Sequence, residues 1–236
     1  MTELIRCEGL SKRFGATWAL RDVTMVLKEG EVLGVIGPNG SGKTTLLNVI
    51  SGLVRPDGGR VVIGGVDVTG KGPRAVASMG VRRTFQVPRL IGDLSVLDNV
   101  ALPLLGQMGL EDARRRAGEV LRRLGVDRLE EGPWRLPMAE RRKVELARAL
   151  VSRPRVVLID EYLSGLTEQE VEEAVKALID LKREMGFAAI WVEHVISGLM
   201  RAAERVLVLN EGSVLAEGIP AEVSVRKEVL EVYFGA

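Results

Sequence analysis

The octapeptide Gly37-Pro38-Asn39-Gly40-Ser41-Gly42-Lys43-Thr44 constrains the fold more than any other part of the chain. It satisfies the pattern G-x-x-x-x-G-K-[ST], and its flanks give that pattern meaning. Val32 to Ile36 is a compact apolar run of strand type, and Thr45 to Ile50 reads as the opening of a helix. Glycines at these places let consecutive backbone N–H groups face inward, so the loop becomes a nest for phosphate oxygens at the positive end of a helix. Lys43 adds a point charge toward β- and γ-phosphates, and Thr44 offers a hydroxyl to Mg2+.

A second anchor lies far downstream in Arg155-Val156-Val157-Leu158-Ile159-Asp160-Glu161. Four apolar residues predict a buried strand that delivers two carboxylates at its C-terminal end, where α/β sheets keep their sites. Asp160 can hold Mg2+ through water, and Glu161 is placed to polarise a water attacking a γ-phosphate. The competing reading makes both acids caps for a helix beginning near Thr167. Three further residues stay open on spacing alone. Gln86, in Arg82-Arg83-Thr84-Phe85-Gln86-Val87-Pro88, is either an amide ligand approaching the metal or an exposed turn residue. His194, after Ala189-Ile190-Trp191-Val192-Glu193, either donates to a γ-phosphate or satisfies a carbonyl at a strand end. Phe14 is either a base-stacking aromatic or a core one.

Around these anchors the 236 residues read as a composite α/β chain. Leu4 to Glu8, Val23 to Leu27 and Val61 to Ile63 are short strand-like runs, and the last follows the turn Pro56-Asp57-Gly58-Gly59. From about Leu97 to Val151 the spacing turns helical, as in Val120, Leu121, Leu124 and Val144, Ala147, Leu150. Strands and helices then alternate: Val156 to Ile159, a helix from Thr167 to Met185, Ala188 to Val192, a short helix and Val206 to Leu209. That order implies a mostly parallel sheet buried on both faces. The expected fold class is a P-loop NTPase core with an N-terminal antiparallel β part and a helical subdomain. Residues 1–95 and 152–236 form the core, and about 96–151 the insert, of one domain spanning 1–236.

Composition excludes several classes. Lys and Arg total 33 against 32 Asp and Glu, so no overall field recruits a polyanion, and nucleic acid is not an expected partner. The basic runs Arg114-Arg115-Arg116 and Arg141-Arg142-Lys143 read as solvated helix faces. With 46% hydrophobic and 28% charged residues the chain is globular rather than disordered. The single cysteine, Cys7, leaves no internal disulfide and reads as a small buried apolar group. One histidine argues against a multi-histidine metal site. The opening MTELIRCEGL has no long apolar run and reads as no signal peptide, and no stretch approaches the roughly 18 apolar residues of a membrane span.

Taken together, these residues resemble the ATP-binding subunit of an ABC transporter, over essentially the whole chain. Gly37 to Thr44 resembles the Walker A motif, and Arg155 to Asp160 the Walker B motif. The resemblance implies that Glu161 is the catalytic glutamate, Gln86 the Q-loop residue, His194 the switch histidine and Phe14 the adenine-stacking aromatic. Lys43, Gln86, Glu161 and His194 are then the expected catalytic set. Phe14, the loop from Gly37 to Thr45 (Gly37, Pro38, Asn39, Gly40, Ser41, Gly42, Lys43, Thr44, Thr45) and Asp160 bind ATP, and Thr44, Gln86 and Asp160 serve Mg2+. It further implies a head-to-tail dimer of ATP-binding subunits, integral membrane permease subunits as partners, and a cytoplasmic location peripheral to the inner face of the cell membrane. Arg82 to Gln86, Leu94 to Val100 and the ending Val232-Tyr233-Phe234-Gly235 are most similar to the branched-chain amino-acid importers.

Two segments depart from the family pattern. The signature Leu-Ser-Gly-Gly-Gln is represented by Leu136-Pro137-Met138-Ala139-Glu140, ahead of a helix read over Arg141 to Leu150. Pro137 brings neither a serine hydroxyl nor a backbone donor, Met138 replaces a glycine that permits close approach, and Glu140 sets negative charge near phosphates. One like charge at roughly 5 Å costs on the order of 3 kcal/mol at an effective dielectric of 20, before screening. Ser164-Gly165-Leu166-Thr167 carries threonine where the family has aspartate, and Tyr162 stands where it has proline. Both departures fall on the side that, in the family's dimer, faces the partner's nucleotide. The expectation is therefore an asymmetric heterodimer in which this chain hydrolyses ATP weakly alone. The alternatives are a homodimer using the altered loop through backbone contacts, and a nucleotide-binding regulatory or assembly ATPase with little turnover. A P-loop small-molecule kinase fits poorly, because strand-like chain precedes the loop and Glu161 directly follows Asp160.

Overall fold

The structure is a computed structural model and describes residues 2–234. The chain opens with β1 (Glu3–Phe14), β2 (Thr17–Lys28) and β3 (Val32–Ile36), then α1 (Lys43–Ile50), β4 (Gly58–Ile63), β5 (Val66–Asp67), α2 (Pro73–Ser78) and β6 (Val81–Arg83). There follow α3 (Val96–Ala101), α4 (Leu110–Arg123), α5 (Met138–Leu150), β7 (Val156–Asp160), α6 (Glu168–Met185) and β8 (Ala188–Val192). The last elements are α7 (Ile196–Ala202), β9 (Arg205–Asn210), β10 (Ser213–Gly218), α8 (Pro220–Val223) and α9 (Lys227–Phe234).

Two sheets result. One is antiparallel, in the order β2-β1-β4-β5; the other has six strands, in the order β10-β9-β3-β8-β7-β6, parallel except for β10. The central strands β3, β7 and β8 are buried along their whole length, which their continuous apolar sequences require. Their side chains alternate between two cores. Leu33, Val35, Leu158 and Ile190 pack with residues of β1, β2, β4 and α1, whereas Val157, Ile159, Ala189 and Trp191 pack with residues of α3 to α6. Cys7 lies in the first core, and burial pushes its thiol up to about 12, so it acts as a small apolar group.

Between β6 and β7 the chain is helical, with α3, α4 and α5 sharing buried Val100, Ala113, Leu121, Val144 and Leu146. The twelve-residue β1 and β2 and the closing strand β10 extend beyond the short runs read from sequence. No helix among the described residues is long and apolar enough to cross a membrane. Gly235, the last residue of the closing tetrapeptide, lies outside the described residues.

Candidate nucleotide site

The loop between β3 and α1 needs glycine for two separate reasons. At Gly37 (φ 154°) a Cβ would lie 2.1 Å from the Leu209 carbonyl oxygen, and at Gly42 (φ 105°) one would lie 2.3 Å from that of Ala19. The loop is thus pressed against β9 and β2, and only glycine fits. Gly42 opens α1 with no side-chain cap and no acidic residue in the first turn. Its N-terminal N–H groups and their dipole are left to an anion.

Lys43 folds back along the loop, donating to the carbonyls of Gly37 (2.7 Å) and Pro38 (2.9 Å). Burial pushes its ammonium pKa down, opposed by the Glu161 and Asp160 carboxylates. A cleft of about 410 Å³ opens beside it, bounded by Asn39, Gly40, Gly42, Lys43, Thr44 and Thr45 on one side and by Gln86, Glu161 and His194 on the other. The phosphate loop and the acid from the second anchor therefore share one hollow. Pro38 borders the loop through its carbonyl, and Ser41 is buried with its hydroxyl unpartnered among the described residues.

Glu161 is held through both its backbone and its carboxylate. Its φ of 51° is left-handed, a strained conformation for a residue with a Cβ, and its N–H donates to Val192 O at 2.9 Å. One carboxylate oxygen accepts from Gln86 Nε2 at 2.7 Å, and the other lies 3.0 Å from His194 Nε2. Three residues far apart in sequence thus meet on one carboxylate. The capping alternative for the acid pair does not hold: Thr167 caps α6 itself, in a reciprocal capping box with Glu170. Threonine fills the N-cap at the position where the family has aspartate, although it is the weaker capping residue of the two.

Asp160, at the end of β7, is 3% exposed. Its Oδ2 accepts from Arg83 Nη2 at 3.0 Å, while Oδ1 is buried with no partner among the described residues. Burial pushes its carboxyl above the usual carboxylate range, and the Arg83 guanidinium pulls against that rise. Arg83 is held in turn by Asn48 Oδ1 (2.7 Å) and Ser51 Oγ (3.0 Å) of α1 and its C-cap. A second hollow, of about 430 Å³, adjoins the first and shares Thr44 and Gln86 with it; Asp160 and Arg83 lie on its wall. Thr44, Gln86 and Asp160 thus form an oxygen-rich edge with an orphaned carboxylate oxygen, which suits a hard divalent cation carried by a phosphate ligand. No group of three His, Cys, Asp or Glu among the described residues forms a protein-only metal cage.

Phe14 stands apart from the lining of the cleft. It is 52% exposed at the end of β1, with Lys12 Nζ 5.4 Å from its ring centre, so the core-aromatic reading fails. From the same hairpin, Ala19 borders the cleft.

The altered lead-in is folded, and the helix starts earlier than the expected Arg141. Pro137 occupies the N-cap of α5, where its missing N–H costs little, and α5 runs from Met138. Met138 is 46% exposed, and Glu140 sits in the first turn, where it favours the helix dipole. Arg142 donates to Ser164 O, tying α5 to the loop after Glu161.

Three residues that motif reading assigned no role hold the site together. Arg83 was legible only as part of a run. Glu145, whose carboxylate accepts from Phe85 N–H and Arg89 N–H at 2.9 Å each, fixes the segment carrying Gln86. Its signal was a charge inside the apolar stretch Val144 to Ala147. Glu193, fully buried beside His194, had the same kind of signal after Trp191-Val192.

Residues 20–164 match the family described as ABC transporter. The ribose import ATP-binding protein RbsA 1 of Rhizobium johnstonii is 35% identical over 98% of this chain and 46% of its own length, so the chain spans about half of that relative. The high-affinity branched-chain amino acid transport ATP-binding protein LivG of Escherichia coli K12 is 30% identical over 98% of both. A nucleotide-free ATP-binding cassette from an ABC transporter superposes with a TM-score of 0.89 at 28% identity, covering 100% of both chains. A cassette in a dimeric post-hydrolysis state bound to ADP and Pi gives 0.85 at 29% identity, over 92% of this chain and 99% of that one. With the phosphate loop, Glu161, Gln86 and His194 gathered on one cleft and Asp160 on the hollow adjoining it, the chain belongs to the ABC transporter family as an ATP-binding domain.

Proposed function

We propose that the chain binds MgATP, hydrolyses it to ADP and phosphate, and powers an ABC importer of small solutes. The observation that carries this reading is the convergence of Gln86 and His194 on the Glu161 carboxylate, across the cleft from Lys43. The N–H groups of the loop and of α1 take the phosphates, Lys43 turns from Gly37 and Pro38 to the β/γ oxygens, and Phe14 stacks on the base. Thr44, Gln86 and Asp160, the last through water, would hold Mg2+, which when bound neutralises charge on the phosphate oxygens. Glu161 takes the proton of the attacking water, and His194 donates to the γ-phosphate. Branched-chain amino acids are the proposed solutes by similarity to LivG; the RbsA relative names ribose.

The proposed partners are membrane permease subunits, contacted from the cytoplasmic face, and a second cassette in a head-to-tail heterodimer. Met138 and Glu140, at the start of α5, favour asymmetry, since this edge would complete the partner's site poorly. The same feature favours a low-turnover regulatory cassette as the second reading. Phosphate release decides between them. We expect weak turnover by the chain alone, at least about 10-fold faster turnover with a cassette bearing an intact signature, and a loss of about 100-fold or more in Glu161→Gln. Equal turnover by the chain and the mixed pair would refute the asymmetry, and none in either would refute hydrolysis.

A further inference from the structure

Glu193 has a place in the site that no motif assigns to it. It is 0% exposed, between Val192, whose carbonyl accepts from Glu161 N–H, and His194, whose imidazole faces the Glu161 carboxylate. Its Oε1 accepts from Leu163 N–H at 2.7 Å and from Trp191 Nε1–H at 2.9 Å. The first bond crosses from the end of β8 to the loop that leaves Glu161. Together with the Glu161 N–H to Val192 O bond, it pins the chain on both sides of the strained Glu161 residue. A side chain that bridges two elements in this way sets the direction in which Glu161 is presented. The second carboxyl oxygen, Oε2, is buried with no partner among the described residues, and so is the Tyr162 hydroxyl, which lies within the field of Glu193.

We infer that Glu193 is a positioning residue for the hydrolytic step: through Leu163 N–H it holds the backbone on either side of Glu161 against the strand that carries His194. The inference rests on the hydrolysis proposed above. It requires one acceptor oxygen and no charge, because a single oxygen makes both bonds. Glutamine therefore substitutes for it, whereas leucine, of similar size and without an acceptor, does not. The bond lies behind Glu161 rather than on the phosphate loop, so nucleotide affinity is insensitive to it.

The test compares wild type, Glu193→Gln and Glu193→Leu with two readouts. In the presence of a cassette with an intact signature, we expect kcat to fall by about 10- to 100-fold in Glu193→Leu, the scale of a small misplacement of a reacting group. Affinity for a fluorescent ATP analogue stays within about 3-fold of wild type, and Glu193→Gln keeps wild-type kcat within the same margin. Hydrogen exchange at the Leu163 amide reads the anchor whether or not ATP turns over: slow in wild type and Glu193→Gln, at least about 10-fold faster in Glu193→Leu. Wild-type kcat in Glu193→Leu, equal damage in the glutamine and leucine variants, or unchanged Leu163 exchange overturns the inference. Absence of turnover in wild type, with Leu163 protected as expected, instead refutes the hydrolysis reading and leaves the anchor standing.

Discussion

In the hydrolysis proposed above Glu161 is the base and must be free at the moment of reaction, yet both its oxygens are engaged, by Gln86 and by His194. Under that proposal a bound γ-phosphate and its water would replace the clasp that now holds the residue. Asp160 is the complementary case, with one oxygen held by Arg83 and the other orphaned. Arg83 is therefore the residue whose loss should cost most outside the motifs. Breaking a buried ion pair by removing one partner leaves a buried charge, a cost of about 3 kcal/mol. We expect urea unfolding at pH 7 to show Arg83→Met destabilised by about that amount, with much of it recovered in Arg83→Met/Asp160→Asn. Unchanged stability in the single variant would show that Asp160 does not depend on its arginine. At this scale the sequence exposed the groups whose chemistry has a fixed spacing: Lys43, Thr44, Asp160 and Glu161. It did not expose Arg83, Glu145 or Glu193, because their partners are distant in the chain and meet only through the sheet.

At the scale of elements, strands β3, β7 and β8 were legible because burial on both faces demands unbroken apolar runs, and α6 because its periodicity and capping residues agree. The beginning of α5 was not, since Pro137 reads as a break and is in fact the N-cap. Strand β10 escaped because its burial is partial and its alternation weak. The end of β8 makes a titration prediction. Burial raises the Glu193 carboxyl from 4.5 to about 7, against the hydrogen bonds from Leu163 and Trp191 that lower it, while Glu161 nearby adds to the rise. The folded state therefore holds a proton between those values that the unfolded chain has released, so stability contributed by the neutral carboxyl is present in acid and lost as pH climbs from about 4.5 to 7. Glu193→Gln removes that dependence. Its unfolding free energy should match wild type near pH 4.5 and exceed it by about 3 kcal/mol at pH 8, in denaturant titrations. A constant difference across this range would mean that Glu193 is charged in the folded protein throughout.

At the scale of the whole molecule, the two sheets and the helices between β6 and β7 bring to one cleft residues drawn from most of the chain, Ala19 to His194. The departures from the family pattern gather elsewhere, at the start of α5 and in the loop after Glu161, which Arg142 and Ser164 join. Under the heterodimer proposed above, these altered segments would form the edge offered to an unlike cassette. All of this presupposes that the loop ending at Thr44 and the acids ending β7 serve a single magnesium-bound triphosphate. Calorimetric titration of the chain with ATP and Mg2+ tests that most directly. We expect uptake of one equivalent, retained in Glu161→Gln and lost by at least about 100-fold in affinity in Lys43→Ala, where the substitution leaves the phosphates without their cation. No uptake, or equal uptake by the Lys43→Ala variant, would contradict it.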